Sequence, residues 1–545
     1  MKKGYLILLS LLVVMGLTLS ACQPAEQEAP SEPVSVEEEA APAEEDQDVE
    51  EEEQVEVEEE AAEPKILRIR LYGDIQNLDP AFRISENDEV VSNAVMNGLV
   101  RYCPNSYELC NQLAEEIEQS EDGLEIRFKL REGVMWHDGY GELTTEDVKF
   151  SYERFIDPDL SADYADDWAT LDYVEIIDDY NGIIHLTEPY APLWNSTMPV
   201  NSGNIISKKY VEEVGLEGFA TNIIGTGPYL FEEWRPQEMV ILKKNPAYWG
   251  EEPYYDEIQL IPIEDDKAAE VALESGDLDF GLISIASVER FEENADFGVW
   301  SKPSLRYSWV GINVQHPKLQ DPNVRWAVIY GIDVDSIIQA AYMGKVERQC
   351  TLIPPGLVGH WEDAPCYERD VEKAKEYLAA AGLESIDLRL DLQDTAMDRI
   401  WAEIIQQNLA EVGINIELNP MDSSTYWTTT FGEQAAENNE LMVSGYSMQN
   451  DPAWATMWFT CDQVGVWNAM SWCSEEYDEL HQEAMVTLDT DKRHDLYVEM
   501  QKLWDEAAHT VWVTHGVRVY GYDLGISPAT TPNGKPQVEF FTAAE

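Results

Sequence analysis

Basic side chains are scarce in this sequence: 35 lysines and arginines stand against 106 aspartates and glutamates among 545 residues, a formal net charge of −71. A surface of that sign makes nucleic acid and anionic lipid poor partners; it accounts for solubility without locating a site. Histidine is sparse too, with 8 scattered residues, and none of the 7 cysteines stands in a CxxC pair. Metal-ligand spacing is therefore missing, and neither a metal nor a cofactor is expected, even where His509 and His515 could share a strand face. There is no HExxH and no nucleophile elbow, and the glycines at 225 and 227 are not followed by the Lys and Ser/Thr of a phosphate cradle. Past the N-terminus no second apolar run is long enough to span a bilayer.

What is there begins at that N-terminus. Lys2 and Lys3 precede an apolar stretch from Tyr5 to Leu17, and Leu19, Ser20, Ala21 and Cys22 follow. The order of positive start, short apolar run and small residues is that of a secretory signal. Its last four residues resemble the bacterial lipobox, in which the cysteine becomes the lipidated first residue of the mature chain; an ordinary signal with a chance cysteine is the other reading. Residues 23–64 contain no basic and no aromatic residue, and acids recur through them, as in Glu50–Glu53 and Glu58–Glu60. Such a segment has nothing to bury and repels itself, so it reads as a disordered acidic stalk, or as a tail for a cationic partner.

The body from residue 65 is too long for one core and divides into domains. Strand-like and helix-like stretches alternate through it, as in mixed α/β layers. Asp370 caps a predicted helix that runs to Ala381, with Val371, Ala374, Tyr377 and Leu378 on one face and Gly382 as its stop. A strand over 386–392, a helix over 399–412 ended by Gly413, and a strand over 414–418 make a βαβ-like unit. Helices over 474–487 and 491–508 and a late strand over 511–520 follow. Apart from Cys22, the six cysteines fall as three sequence neighbours: Cys103 with Cys110, Cys350 with Cys366, Cys461 with Cys473. Of fifteen connectivities, local pairing is the simplest, and it suits an oxidising compartment.

Several stretches together carry a family resemblance: residues 113–115 and 120–123, 128–139 (FKLREGVMWHDG), 143–153 (LTTEDVKFSYE), 225–229 (GTGPY), 245–250 (NPAYWG), 311–313 (GIN) and 321–327 (DPNVRWA), then 353–356, the Asp370 helix and 477–480. In this order they resemble family 5 extracellular solute-binding proteins, the dipeptide, oligopeptide and nickel receptors of ABC importers. His137 and Asp138, which look catalytic in isolation, sit in a turn before Gly139 and read as scaffold.

The resemblance implies an α/β, two-lobed periplasmic-binding-protein-like fold with an extra subdomain in the first lobe. Mapped here, lobe one takes 65–305 with the insert at about 106–224, lobe two takes 306–509, and 510–545 return to lobe one; the hinge strands lie near 307–313 and 511–517. The implied function is that of a monomeric receptor, lipid-anchored to the outer face of the bacterial cytoplasmic membrane, that delivers a small ligand to ABC permease subunits without catalysis. Residues 444–458 (SGYSMQNDPAWATMW) resemble the family stretch that crosses the interlobe cleft. Peptide-binding members place there an aspartate that pairs with the ligand's α-amino group. This segment is one residue shorter, and the position falls on Gln449 or Met448, neither charged, so a neutral oligosaccharide stands beside an oligopeptide as the expected ligand. The expected lining is Asn77, Trp194, Tyr307, Trp309, Tyr426, Trp427, Tyr446, Ser447, Gln449, Asn450, Asp451 and Trp454, with Asp451 either in the site or capping the turn at Pro452. Carboxylates and aromatics in a cleft can also cleave glycosides, so an anchored glycoside- or peptide-processing hydrolase is the alternative class, and a surface adhesin or chaperone a third.

Overall fold

The computed structural model describes residues 63–82, 85–432, 435–531 and 533–544. Cys22, the signal and the acidic stretch up to residue 62 lie outside them. The strand Ile66–Leu71, which buries Leu67, Ile69 and Leu71, lies inside a seven-stranded mixed sheet. Its order is Tyr229–Arg235, Met239–Lys244, Glu257–Pro262, Ile66–Leu71, Phe280–Leu282, Val517–Asp523, Phe297–Pro303. Ile66–Leu71 runs parallel to Glu257–Pro262, with Ile66 opposite Glu257. A parallel neighbour needs a long crossover, and this one carries a four-stranded antiparallel sheet ordered Ala114–Gln119, Glu125–Leu130, Asn181–Leu186, Leu171–Ile176. Ile126, Phe128, Val174 and Ile184 of that sheet join the same buried core as Leu67 and Ile69. The extra subdomain is thus packed onto the first lobe.

The shared motifs build this scaffold. Thr144 caps the helix Thr145–Glu153 in a capping box with Asp147. His137 is buried and clamps the corner at 225–228: Gly225 N–H donates to Nδ1 (3.2 Å), and Nε2 lies 3.0 Å from Gly227 O. Burial holds its pKa below the ordinary histidine value. A Cβ at Gly225 would lie 1.9 Å from Val95 O, so only glycine permits this backbone approach.

The second lobe is framed by a five-stranded sheet ordered Ile414–Met421, Ile386–Gln393, Leu441–Ser447, Arg306–Ile312, Thr510–Thr514. The expected βαβ unit is present: Ile386–Gln393 and Ile414–Met421 pair in parallel around the helix Ala396–Val412, which Gly413 ends at φ 102°. Asp370 accepts from Lys373 N–H (2.9 Å) at the start of the helix Val371–Ala380. The strand Arg306–Ile312 alternates between two cores, Val310 and Ile312 on one face, Tyr307 and Trp309 on the other.

The chain passes from the first sheet to the second at Ser304–Leu305 and back at His515–Gly516, where Ser304 Oγ donates to His515 O (2.7 Å) and ties the two passages together. The late strand expected as one piece over 511–520 is therefore two strands in different sheets, broken at Gly516 with φ 70°. The return to the first sheet accordingly starts at Val517 and not at residue 510. Cysteines pair locally, as Cys103–Cys110, Cys350–Cys366 and Cys461–Cys473. Among the described residues no helix is long and apolar enough to cross a membrane, and no group of three or more His, Cys, Asp or Glu side chains could hold a metal ion.

Candidate functional site

A cavity of about 340 Å³ opens beside the passages between the sheets and is lined from both lobes. From the second lobe come Arg306, at the start of its strand, and Ser447, Met448, Gln449 and Asn450, which leave the end of Leu441–Ser447. Asp451 and Pro452 then turn the chain into the short helix Ala453–Thr456, which points Trp454 at the cavity, with Trp458 one turn on. The first lobe contributes Glu86 and Glu89 from the first turn of the helix Glu86–Val95, Asp167, Asn201 and Ser202 from two 3-10 turns, and Arg518 and Lys535.

Charge of both signs therefore faces one space. Arg518 Nη2 donates to Glu86 Oε2 (2.7 Å), and Lys535 pairs with Glu89. Burial would deprotonate Arg518, but the Glu86 carboxylate beside it more than offsets this and raises its pKa. Asp167 is 3% exposed, and burial pushes its carboxyl up to about 7 although Ser202 Oγ donates to it (2.7 Å). The Arg306 guanidinium extends beside Gly445, where a Cβ would come within 3.1 Å of it. Such a cavity can hold a small zwitterionic or polar molecule between acid and base, and Trp454 and Trp458 add apolar faces.

Of the residues expected from sequence, Ser447, Gln449, Asn450 and Trp454 line this cavity. Tyr307, Trp309, Tyr426 and Tyr446 do not: they are buried in the aromatic core of the second lobe, where Tyr307 stacks on Trp309 (5.4 Å between rings) and Tyr446 meets Trp309 edge-on (5.0 Å). Trp427 packs on Phe431 (4.8 Å) beside the same core. Trp194 donates through Nε1 to Gln119 (2.9 Å) within the first lobe, and Asn77 Oδ1 accepts from Asp79 N–H (2.9 Å) in a local turn. Neither is in the cavity wall.

Asp451 is fully buried and committed elsewhere. Its two oxygens accept from Arg493 Nη1 and Nη2 (2.6 and 2.7 Å), Oδ1 also accepts from Ala453 N–H (2.9 Å), and Oδ2 from Asn195 Nδ2 (3.3 Å). It caps the turn at Pro452 and neutralises Arg493; it offers no free carboxylate to a ligand. The sequence reading missed Glu86, Glu89, Asp167, Arg518 and Lys535, which no local motif marks. Arg306 alone had a usable signal, a basic residue at the head of an expected hinge strand.

Residues 108–467 match the family described as bacterial extracellular solute-binding proteins, family 5. The dipeptide-binding protein of Escherichia coli K12 is 28% identical over 449 residues, 77% of this chain and 83% of that one. Among solved structures, HbpA2 from Haemophilus parasuis superposes with a TM-score of 0.80 at 23% identity over 88% of this chain and all of its own. The periplasmic binding protein DppA from Helicobacter pylori, in complex with the peptide STSA, gives 0.71 at 25% identity over 87% and 98%. The Escherichia coli and Helicobacter pylori proteins are named as binding proteins, and the match extends over most of the chain. The protein belongs to family 5 of the bacterial extracellular solute-binding proteins.

Proposed function

We propose that this protein is a lipid-anchored receptor that takes up a short peptide in the interlobe cavity and delivers it to the permease of an ABC importer. The observation that carries the peptide reading is the cavity wall itself: acids (Glu86, Glu89, Asp167) and cations (Arg306, Arg518, Lys535) drawn from both lobes suit a ligand with a positive and a negative end. Relatives named for dipeptides and a neighbour bound to the peptide STSA agree with it. The α-amino anchor that residues 448–449 lack falls, in this reading, to the acids of the first lobe. Residues 65–303 with 517–544 form one lobe and 306–514 the other, and the passages at Ser304–Leu305 and His515–Gly516 act as the hinge. Ligand contacts to both lobes stabilise the closed state. Cys22 carries the lipid, and the acidic stretch to residue 64 holds a monomeric body off the membrane, near its permease at high effective concentration. Trp454 and Trp458 favour a second reading, an oligosaccharide stacked on indole faces.

A thermal-shift screen of di- to pentapeptides against oligosaccharides separates the two. A cognate peptide at 100 times its Kd stabilises the fold by about 2.7 kcal/mol. A rise with oligosaccharides alone refutes the peptide reading, and turnover of whichever ligand binds refutes the receptor.

A further inference from the structure

Behind the main cavity lies a smaller one of about 60 Å³, which shares with it the wall formed by Glu89, Val200, Asn201, Asn450, Asn533 and Lys535. That volume accommodates a few waters or the head of one short side chain. Five residues lining this annex carry a buried polar atom without a hydrogen-bond partner: Arg101 Nε, Asn204 Nδ2, Asn450 Oδ1, Gln537 Oε1 and Glu539 Oε2. Asn204, Asn450 and Gln537 are only 7, 7 and 5% exposed. Buried polar groups are almost always paired, because each unpaired one costs about 1–3 kcal/mol. Several on one small cavity are groups kept for something that enters it.

Their chemistry narrows what enters. Arg101 and Asn204 present donors; Asn450, Gln537 and Glu539 present acceptors. A carboxylate would meet the Asn450 and Gln537 acceptors and, once it is ionised, the Glu539 carboxylate, and an ammonium would meet Arg101, whose guanidinium is held over the Phe540 ring at 4.1 Å. An apolar head would leave all five atoms unpaired. A carboxamide donates and accepts without net charge. We propose that the annex is a specificity pocket for an asparagine or glutamine side chain of the bound peptide. This rests on the peptide reading above. Burial pushes the Glu539 carboxyl up to about 7, so near neutral pH it can serve as donor or acceptor to such a group.

The test is calorimetric titration of the purified protein with trialanine and with tripeptides carrying Leu, Gln, Asn, Glu or Lys at each position in turn. At one position Gln or Asn should bind at least tenfold tighter than Leu, Glu and Lys, and Gln537→Leu should reduce that ratio below threefold. If Gln537→Leu does not fold, Asn204→Ala replaces it. Trialanine binding with no carboxamide preference at any position overturns the annex and leaves the peptide reading standing, as does a preference that survives both variants. If no tripeptide binds although the di- to pentapeptide screen finds a peptide ligand, the annex falls alone; if that screen finds none either, the two fall together.

Discussion

Replacing Asp451 by asparagine should destabilise the second lobe by about 3–5 kcal/mol, because removing one partner of a buried ion pair leaves the other charge uncompensated. The Arg493 side chain is 4% exposed and that of Asp451 is fully buried. Arg493 keeps two other bonds, Nε to Ala484 O (2.8 Å) and Nη2 to Tyr497 Oη (2.9 Å), but neither partner is charged. Asparagine retains one acceptor oxygen and turns an NH₂ group toward the remaining guanidinium nitrogen, so the loss falls toward the lower end, about 3 kcal/mol. Against the about 5–15 kcal/mol of a typical domain that is a large fraction. Urea unfolding followed by tryptophan emission measures it, and the double variant Asp451→Asn with Arg493→Met supplies the control. With the stranded charge gone, most of the stability should return, since apolar replacements of buried pairs are often neutral. The reasoning fails if Asp451→Asn loses under about 1 kcal/mol while ligand affinity collapses. Asp451 would then belong to the binding site after all.

Three further outcomes are expected. With its carboxyl raised from an ordinary 3.8 to about 7, Asp167 opposes folding once ionised; the penalty is absent below about pH 4, grows between about pH 4 and 7 and reaches about 4 kcal/mol above that. Asp167→Asn should accordingly be more stable than wild type at pH 8 but not at pH 4 in urea titrations, and a difference that ignores pH refutes the assignment. Converting Cys461 and Cys473 to serine opens a loop with a sequence separation of 12 and should cost about 3 kcal/mol, read as a lower urea midpoint; an unchanged midpoint would count against a stabilising bridge. Gln449→Asp restores a carboxylate to the segment that lacks one and should tighten peptides with a free amino terminus by about tenfold over their acetylated forms in calorimetry. Equal gains for both forms would mean that residue 449 is out of reach of the ligand's amino group at the first-lobe acids.

Local features were legible wherever their cause is local. Asp370 and Gly413 punctuate helices through backbone geometry a few residues long, and the short cysteine separations made local disulfides the simplest pairing. The aromatics were not legible. Tyr307 and Trp309 alternate as any half-buried strand does, but their strand is covered on both faces, so the face that looked available to a ligand belongs to a second core. Asp451 lies inside the segment read as the ligand loop, yet its role is fixed by Arg493 in a later helix.

The sequence by itself therefore determined the mixed α/β scaffold of the protein and its family, because a composition and an ordered set of turn and cap motifs are written in consecutive residues. Only the tertiary structure decided which side chains meet in the cavity. Glu86 reaches Arg518 and Glu89 reaches Lys535 across more than four hundred residues, and Arg306 arrives from the other lobe. No periodicity encodes such encounters: a polar side chain becomes part of a site when folding sets it opposite a partner and withdraws both from water.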